Sequence, residues 1–107
     1  QQLFVVGGDY EQRPAKYANI ATYVDTQWQV VESGKHGLRT AMTCQNTTCI
    51  STGKTSSDIS FDDGKTWQVL VNQQAKKDDQ GFYTLASSNM VFLAAGAEGK
   101  VGVLKLK

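Results

Sequence analysis

The side chains able to do chemistry in this 107-residue chain are few and scattered. Six carboxylates, Asp9, Glu11, Asp58, Asp78, Asp79 and Glu98, are candidates for glycoside hydrolysis. That reaction needs two of them facing each other about 5 to 10 Å apart across a cleft. Their neighbours mostly read as loops and turns, where a solvated carboxylate is the simpler account. His36, the single histidine, sits in Ser33-Gly34-Lys35-His36-Gly37, a loop ahead of a strand-like segment. A Ser–His–Asp relay needs three groups in mutual contact, and an exposed structural histidine is the plainer reading. Arg13 and Arg39 are the two guanidinium groups, suited to gripping a carboxylate in bidentate fashion. Together with His36 they are the candidate ligand-binding residues.

Cys44 and Cys49 flank four residues. They are either two reduced thiols beside a hairpin loop or a disulfide across its ends. The bridge requires an oxidising compartment, which favours an extracytoplasmic or secreted location. Two cysteines and one distant histidine are too few ligands for a metal site. Gly7-Gly8 and Gly96-Ala97-Glu98-Gly99 lack the spacing and the helix of a phosphate-binding loop. No metal and no cofactor is therefore expected. Asn46-Thr47-Thr48 is a glycosylation sequon, a triplet that also arises by chance.

The elements that must position these groups are strands. Hydrophobic residues make up 40% and charged residues 20%, which suits a folded domain. The net charge of +1 gives no general pull toward nucleic acid or membrane. No basic stripe interleaved with aromatics appears, and the apolar runs are too short to span a bilayer. Ten glycines and one proline among many Val, Ile, Thr and aromatic residues favour short strands and tight turns. Strands are predicted at 3–7, 17–24, 28–31, 38–44, 48–53, 58–61, 67–71, 82–87, 90–96 and 101–106. Leu3-Phe4-Val5-Val6 and Met90 to Ala95 are continuous apolar runs of the kind found in strands covered on both faces. No segment shows a capped 3.6-residue period, although 17–23 tolerates helix.

Ser60-Phe61-Asp62-Asp63-Gly64-Lys65-Thr66-Trp67 fits S-x-D-x-G-x-T-W at every fixed position. The physics is that of a tight hairpin corner. Aspartates accept from backbone N–H groups nearby, glycine relieves a positive φ, and Trp67 brings a large apolar face to bury. A weak internal repeat accompanies it. Val5-Val6-Gly7-Gly8 is echoed by Ile50 to Gly53 and Leu93 to Gly96, and Trp28-Gln29-Val30-Val31 by Trp67 to Leu70. The glycines recur about every 43 to 46 residues, the length of one four-stranded propeller blade. Asp25-Thr26-Gln27-Trp28 looks like a degraded copy of the corner, without its glycine.

The octet resembles the Asp-box, or BNR repeat, of β-propellers, where it is a folding device away from the active centre. Val5 to Asp9, Gly37 to Thr40, Gly53 to Asp58 and Ala95 to Lys100 extend the likeness to a group of bacterial BNR propellers. That group is similar to the photosystem II assembly-factor propellers and often carries a glycosyl-hydrolase label. The sequence departs from the pattern at Leu38 and Ser57. The resemblance implies an all-β chain of antiparallel four-stranded blades, about two and a half of them. Strands are lettered A to D from the centre outward. Residues 1–33 would then be a partial blade, 37–72 a complete blade with the corner (Ser60, Asp62, Asp63, Gly64, Thr66, Trp67) between C and D, and 81–107 a second partial blade. A small β-sandwich is the alternative.

Sialidases, rich in Asp-boxes, hold their substrate with three arginines. This chain has two and cannot build that set alone. The expectation is thus a non-catalytic scaffold that binds a protein or glycan through the loop face shared by B–C and D–A connections, where Arg13, His36 and Arg39 would gather. Part of a glycan hydrolase completed by further blades or another subunit is one alternative. A structural homo-oligomer that closes a propeller from several chains is another. Partial blades leave apolar faces open, so a homo-oligomer or the remainder of a longer propeller is the expected partner.

Overall fold

The computed structural model describes residues 3–7, 20–31, 38–53, 57–70 and 82–105. They form ten strands: β1 (Leu3–Val6), β2 (Ile20–Val24), β3 (Gln27–Val31), β4 (Ala41–Gln45), β5 (Thr48–Thr52), β6 (Ser57–Ser60), β7 (Gln68–Val69), β8 (Thr84–Ser88), β9 (Val91–Ala95) and β10 (Val101–Lys105). Among the described residues the sole helical element is a 3-10 turn over Ala97–Gly99. The chain is all-β, as its composition and turn residues imply. The strands build three antiparallel sheets, ordered β1-β2-β3, β4-β5-β6-β7 and β10-β9-β8, and none is closed.

Tight turns set the register. Asp25 and Thr26 both have positive φ (51° and 64°), as do Asn89 and Met90 (47° and 69°), and Asn46 sits at 53°. Turns with positive φ match the right-handed twist of paired strands, and Asp and Asn tolerate that region. Tyr23 is thereby opposed to Trp28, Cys44 to Cys49 and Ser87 to Phe92. Register in turn sorts side chains, because successive residues point to opposite faces.

Two apolar layers follow. Phe4, Val6 and Ile20 of the first sheet, with Val31, meet Met42, Cys44, Cys49 and Trp67 of the middle sheet. On the middle sheet's other side, Ile50, Ile59 and Leu70 meet Leu85, Phe92 and Leu104 of the third. The middle sheet is thus covered twice, and every residue of Cys49–Gly53 and Ser57–Ser60 is buried.

The outer sheets differ from what their apolar runs imply. Leu3 and Val5 are 62% and 55% exposed, and Leu93 is 48% exposed. Among the described residues nothing packs on those faces. The Asp25–Trp28 segment is a correction too. It forms a two-residue turn, and Trp28 lies exposed against Tyr23 with ring centroids 5.2 Å apart. Without a glycine the turn does not fold the indole back over itself.

Phe92 and Leu93 are neighbours on opposite faces, so they offer a direct comparison. Phe92→Ala should cost about 3–5 kcal/mol in urea unfolding of dilute protein. Leu93→Ala should cost less than about 1 kcal/mol under the same conditions.

Candidate functional site

The corner between β6 and β7 is assembled from a few short bonds. Ser60 Oγ donates to Asp62 Oδ1 at 2.7 Å and accepts from the Gly64 N–H at 2.9 Å and the Asp62 N–H at 3.3 Å. Asp62 also accepts from the Thr66 N–H at 2.8 Å and the Thr66 hydroxyl at 2.5 Å. Trp67 Nε1–H closes the loop on the Gly64 carbonyl at 2.9 Å. Asp63 N–H donates to the Thr47 carbonyl at 2.8 Å, which ties the corner to the β4–β5 turn. Gly64 needs to be glycine twice over. Its φ is +85°, and a Cβ there would stand 2.5 Å from the Phe4 ring of the first sheet.

The bonds from Thr66, with that from Ser60, hold the Asp62 carboxyl well below its ordinary value, at about 2. A depressed carboxylate stabilises the fold above its unfolded pKa and loses that contribution as pH falls through the folded one. All of these groups serve the turn. Asp62 and Asp63 are architectural residues here.

Arg39 and Asp58 form the second constellation. Arg39 lies just before β4 and Asp58 on β6. The Arg39 Nε–H donates to Asp58 Oδ2 at 2.9 Å, and Nη2 bonds the same oxygen. Both side chains are wholly buried. Asp58 is therefore no solvated turn residue, and Arg39 does not stand at a surface as a ligand-binding arginine would. Burial follows from position, since Asp58 pairs with Ser51 on one side and Val69 on the other. The other two ligand candidates, Arg13 and His36, lie outside the described residues.

The chain just before β4 also joins the sheets. Arg39 N–H donates to the Gly7 carbonyl of the first sheet at 2.8 Å, and Thr40 Oγ1 to the Tyr83 carbonyl ahead of β8 at 2.9 Å. A Cβ on Gly53 would overlap the Leu38 carbonyl, so the backbones cross there only because position 53 is glycine. Further along, Thr43 meets Ser87 at 2.9 Å, and Gln45 bonds the Val91 carbonyl and the Met90 N–H at 2.9 and 2.7 Å. Cys44 and Cys49 are joined by a disulfide across their registered pair.

Between β1 and β4 lies an open cleft of about 790 Å³, lined by Phe4 and Val6, by Thr40 to Cys44, and by Asn46 and Asp63 from two turns. Phe4, Val6 and Met42 give it an apolar side and Asn46 an amide, while the Thr40 and Thr43 hydroxyls are bonded to Tyr83 and Ser87 on the third-sheet side. Asp63 is the one carboxylate on it. No group of three or more potential metal ligands occurs among the described residues. Sequence reasoning missed the cleft, because it is made by β1 and β4 approaching from different sheets. It also missed the burial of Asp58, although Asp58-Ile59-Ser60 alternates in the way that puts Asp58 and Ser60 on one strand face.

The fold and site define an all-β protein of three face-packed antiparallel sheets, with a disulfide across the β4–β5 hairpin and a hydrogen-bonded corner between β6 and β7. No protein-family model and no curated protein matches the sequence. Among solved structures it is similar to the computationally designed Ika4 protein, at 12% identity and a TM-score of 0.59. The match covers 97% of this chain and 66% of that one. At that identity the likeness concerns the fold alone.

Two outcomes are expected. Asp58→Ala should cost about 3–5 kcal/mol by leaving the Arg39 charge buried without its carboxylate, and Arg39→Met with Asp58→Leu should recover much of that loss. In urea midpoints measured against pH, the wild type should weaken between its unfolded value near 3.8 and its folded value near 2, and Asp62→Asn should flatten that limb.

Proposed function

We propose that this chain is a non-catalytic interaction scaffold of Asp-box propeller-type blades, which binds a protein or glycan at the sheet ends where β4 begins. The meander sheets of three, four and three strands support the blade reading, as does the corner between the last two strands of the middle one. The observation that carries binding over catalysis is the fate of the charged groups. Asp58 and Arg39 neutralise each other in the interior, Asp62 is spent on its turn, and the cleft presents Asn46 and the edge backbone of β4 with Phe4, Val6 and Met42. Neutral hydrogen-bonding groups set among apolar ones are the lining of a binding surface. A glycosidase needs a second carboxylate facing the first.

The test is a glycan array and a displayed-peptide library probed with the labelled chain, alongside chromogenic aryl glycosides as substrates. Saturable binding without chromophore release is expected. Met42→Trp, which fills the cleft from the face of β4 that meets Phe4 and Val6, should weaken it at least tenfold. Release above the blank, or no binding to either library, would overturn the proposal.

A further inference from the structure

Each sheet has one face turned toward the next sheet in chain order and one toward the sheet before it. The first may be called leading and the second trailing. Inside the chain every contact is leading on trailing, and it is made twice. Phe4, Val6, Ile20 and Val31 lead onto Cys49 and Trp67, then Ile50, Ile59 and Leu70 lead onto Phe92 and Leu104. Two faces are left over among the described residues, and they are of opposite kind.

The trailing face of the first sheet carries two registered rows, Leu3–Tyr23–Trp28 and Val5–Ala21–Val30. Its five large residues are 40% to 62% exposed. The leading face of the third sheet carries Leu93 opposite Val103 and Ala95 opposite Val101. Val101 and Val103 are 70% and 60% exposed. Apolar surface ordered in rows on a sheet is what sheet-on-sheet packing consumes.

We infer that a second copy of this chain docks its trailing first-sheet face onto the leading third-sheet face of the first copy. The surface continues a series of interfaces the molecule already contains, and each end is the missing half of the other. Twist has a fixed hand, so the leading-on-trailing fit seen twice in the interior is the one these sheets are shaped for. Such a contact is heterologous: it closes into a ring if the rotation permits and otherwise extends into a filament. A three-strand face is small beside the roughly 800 Å² per partner of a standard interface, so the association should be reversible and concentration-dependent. The inference rests on the sheet stacking and stands whether or not the chain binds a ligand.

Light scattering on the eluting chain over a wide concentration range tests it. The wild type should rise above the mass of one chain. Trp28→Glu with Val30→Glu blocks the trailing face, and Val101→Glu with Val103→Glu blocks the leading one. Each double variant alone should stay at one chain at concentrations at least tenfold above those where the wild type associates. An equimolar mixture should give two chains and no more, because each variant keeps one good face. The near-ultraviolet signal of buried Trp67 reports folding, and Val5→Glu replaces the first pair if that signal is lost. A wild type that keeps the mass of one chain throughout overturns the inference. So does a blocked variant that still self-associates, or a mixture that forms no pair.

Discussion

A buried guanidinium–carboxylate pair sets the terms for the middle sheet. Removing both charges from water costs several kcal/mol per ion, and their attraction offsets this only if the surroundings exclude water and satisfy the remaining polar atoms. Arg39 and Asp58 lie wholly buried in the middle sheet, where the chain reaches the first sheet through the Gly7 carbonyl and the third through Thr40. Asp58 is on the face that the first sheet covers, and the bonds that join both flanking sheets to the middle one start from Arg39 and its neighbour Thr40. Thr52 works in the same spot, bridging Ser57 Oγ and the Phe82 N–H. One short stretch of backbone thus decides how three sheets sit relative to one another.

The opposite end of the middle sheet is held by local chemistry. The Ser60–Trp67 corner satisfies most of its polar groups within eight residues and takes from its surroundings the Thr47 carbonyl, for the Asp63 N–H, and Phe4 across Gly64. Asp62 holds its charge because three donors converge on it, whatever ligand comes near. The two ends rest on different physics, one on long-range desolvation and one on turn geometry.

That difference explains what the sequence revealed. The corner was legible because serine, aspartate, glycine, threonine and tryptophan at fixed offsets are sufficient to make it. Strand positions were legible through glycine and turn residues, and the all-β class with them. The fate of Asp58 was not, because a carboxylate on a strand is buried or solvated according to which sheet lies above it, and that sheet comes from residues 3–31. The fate of Leu3, Val5 and Leu93 was hidden for the same reason in reverse: an apolar run states that a face can be covered, and says nothing of what covers it. Trp28 and Trp67 make the point within one repeat. The two quartets are alike, yet the glycine-bearing corner folds its indole inward and the two-residue turn leaves its own outside.

The distribution of burial has a consequence for dynamics. β5 and β6 are the most deeply covered strands, while β3 and β10 keep mostly exposed residues. Local opening is cheapest where buried apolar contacts are fewest, so the outer sheets should open before the middle one. Anything that covers an outer face therefore acts twice. It buries the exposed rows, and it raises the stability of the very sheets that shield the Arg39–Asp58 pair. Order at the ends and desolvation at the centre are one coupled equilibrium, and the apolar end faces are where that equilibrium can be shifted from outside.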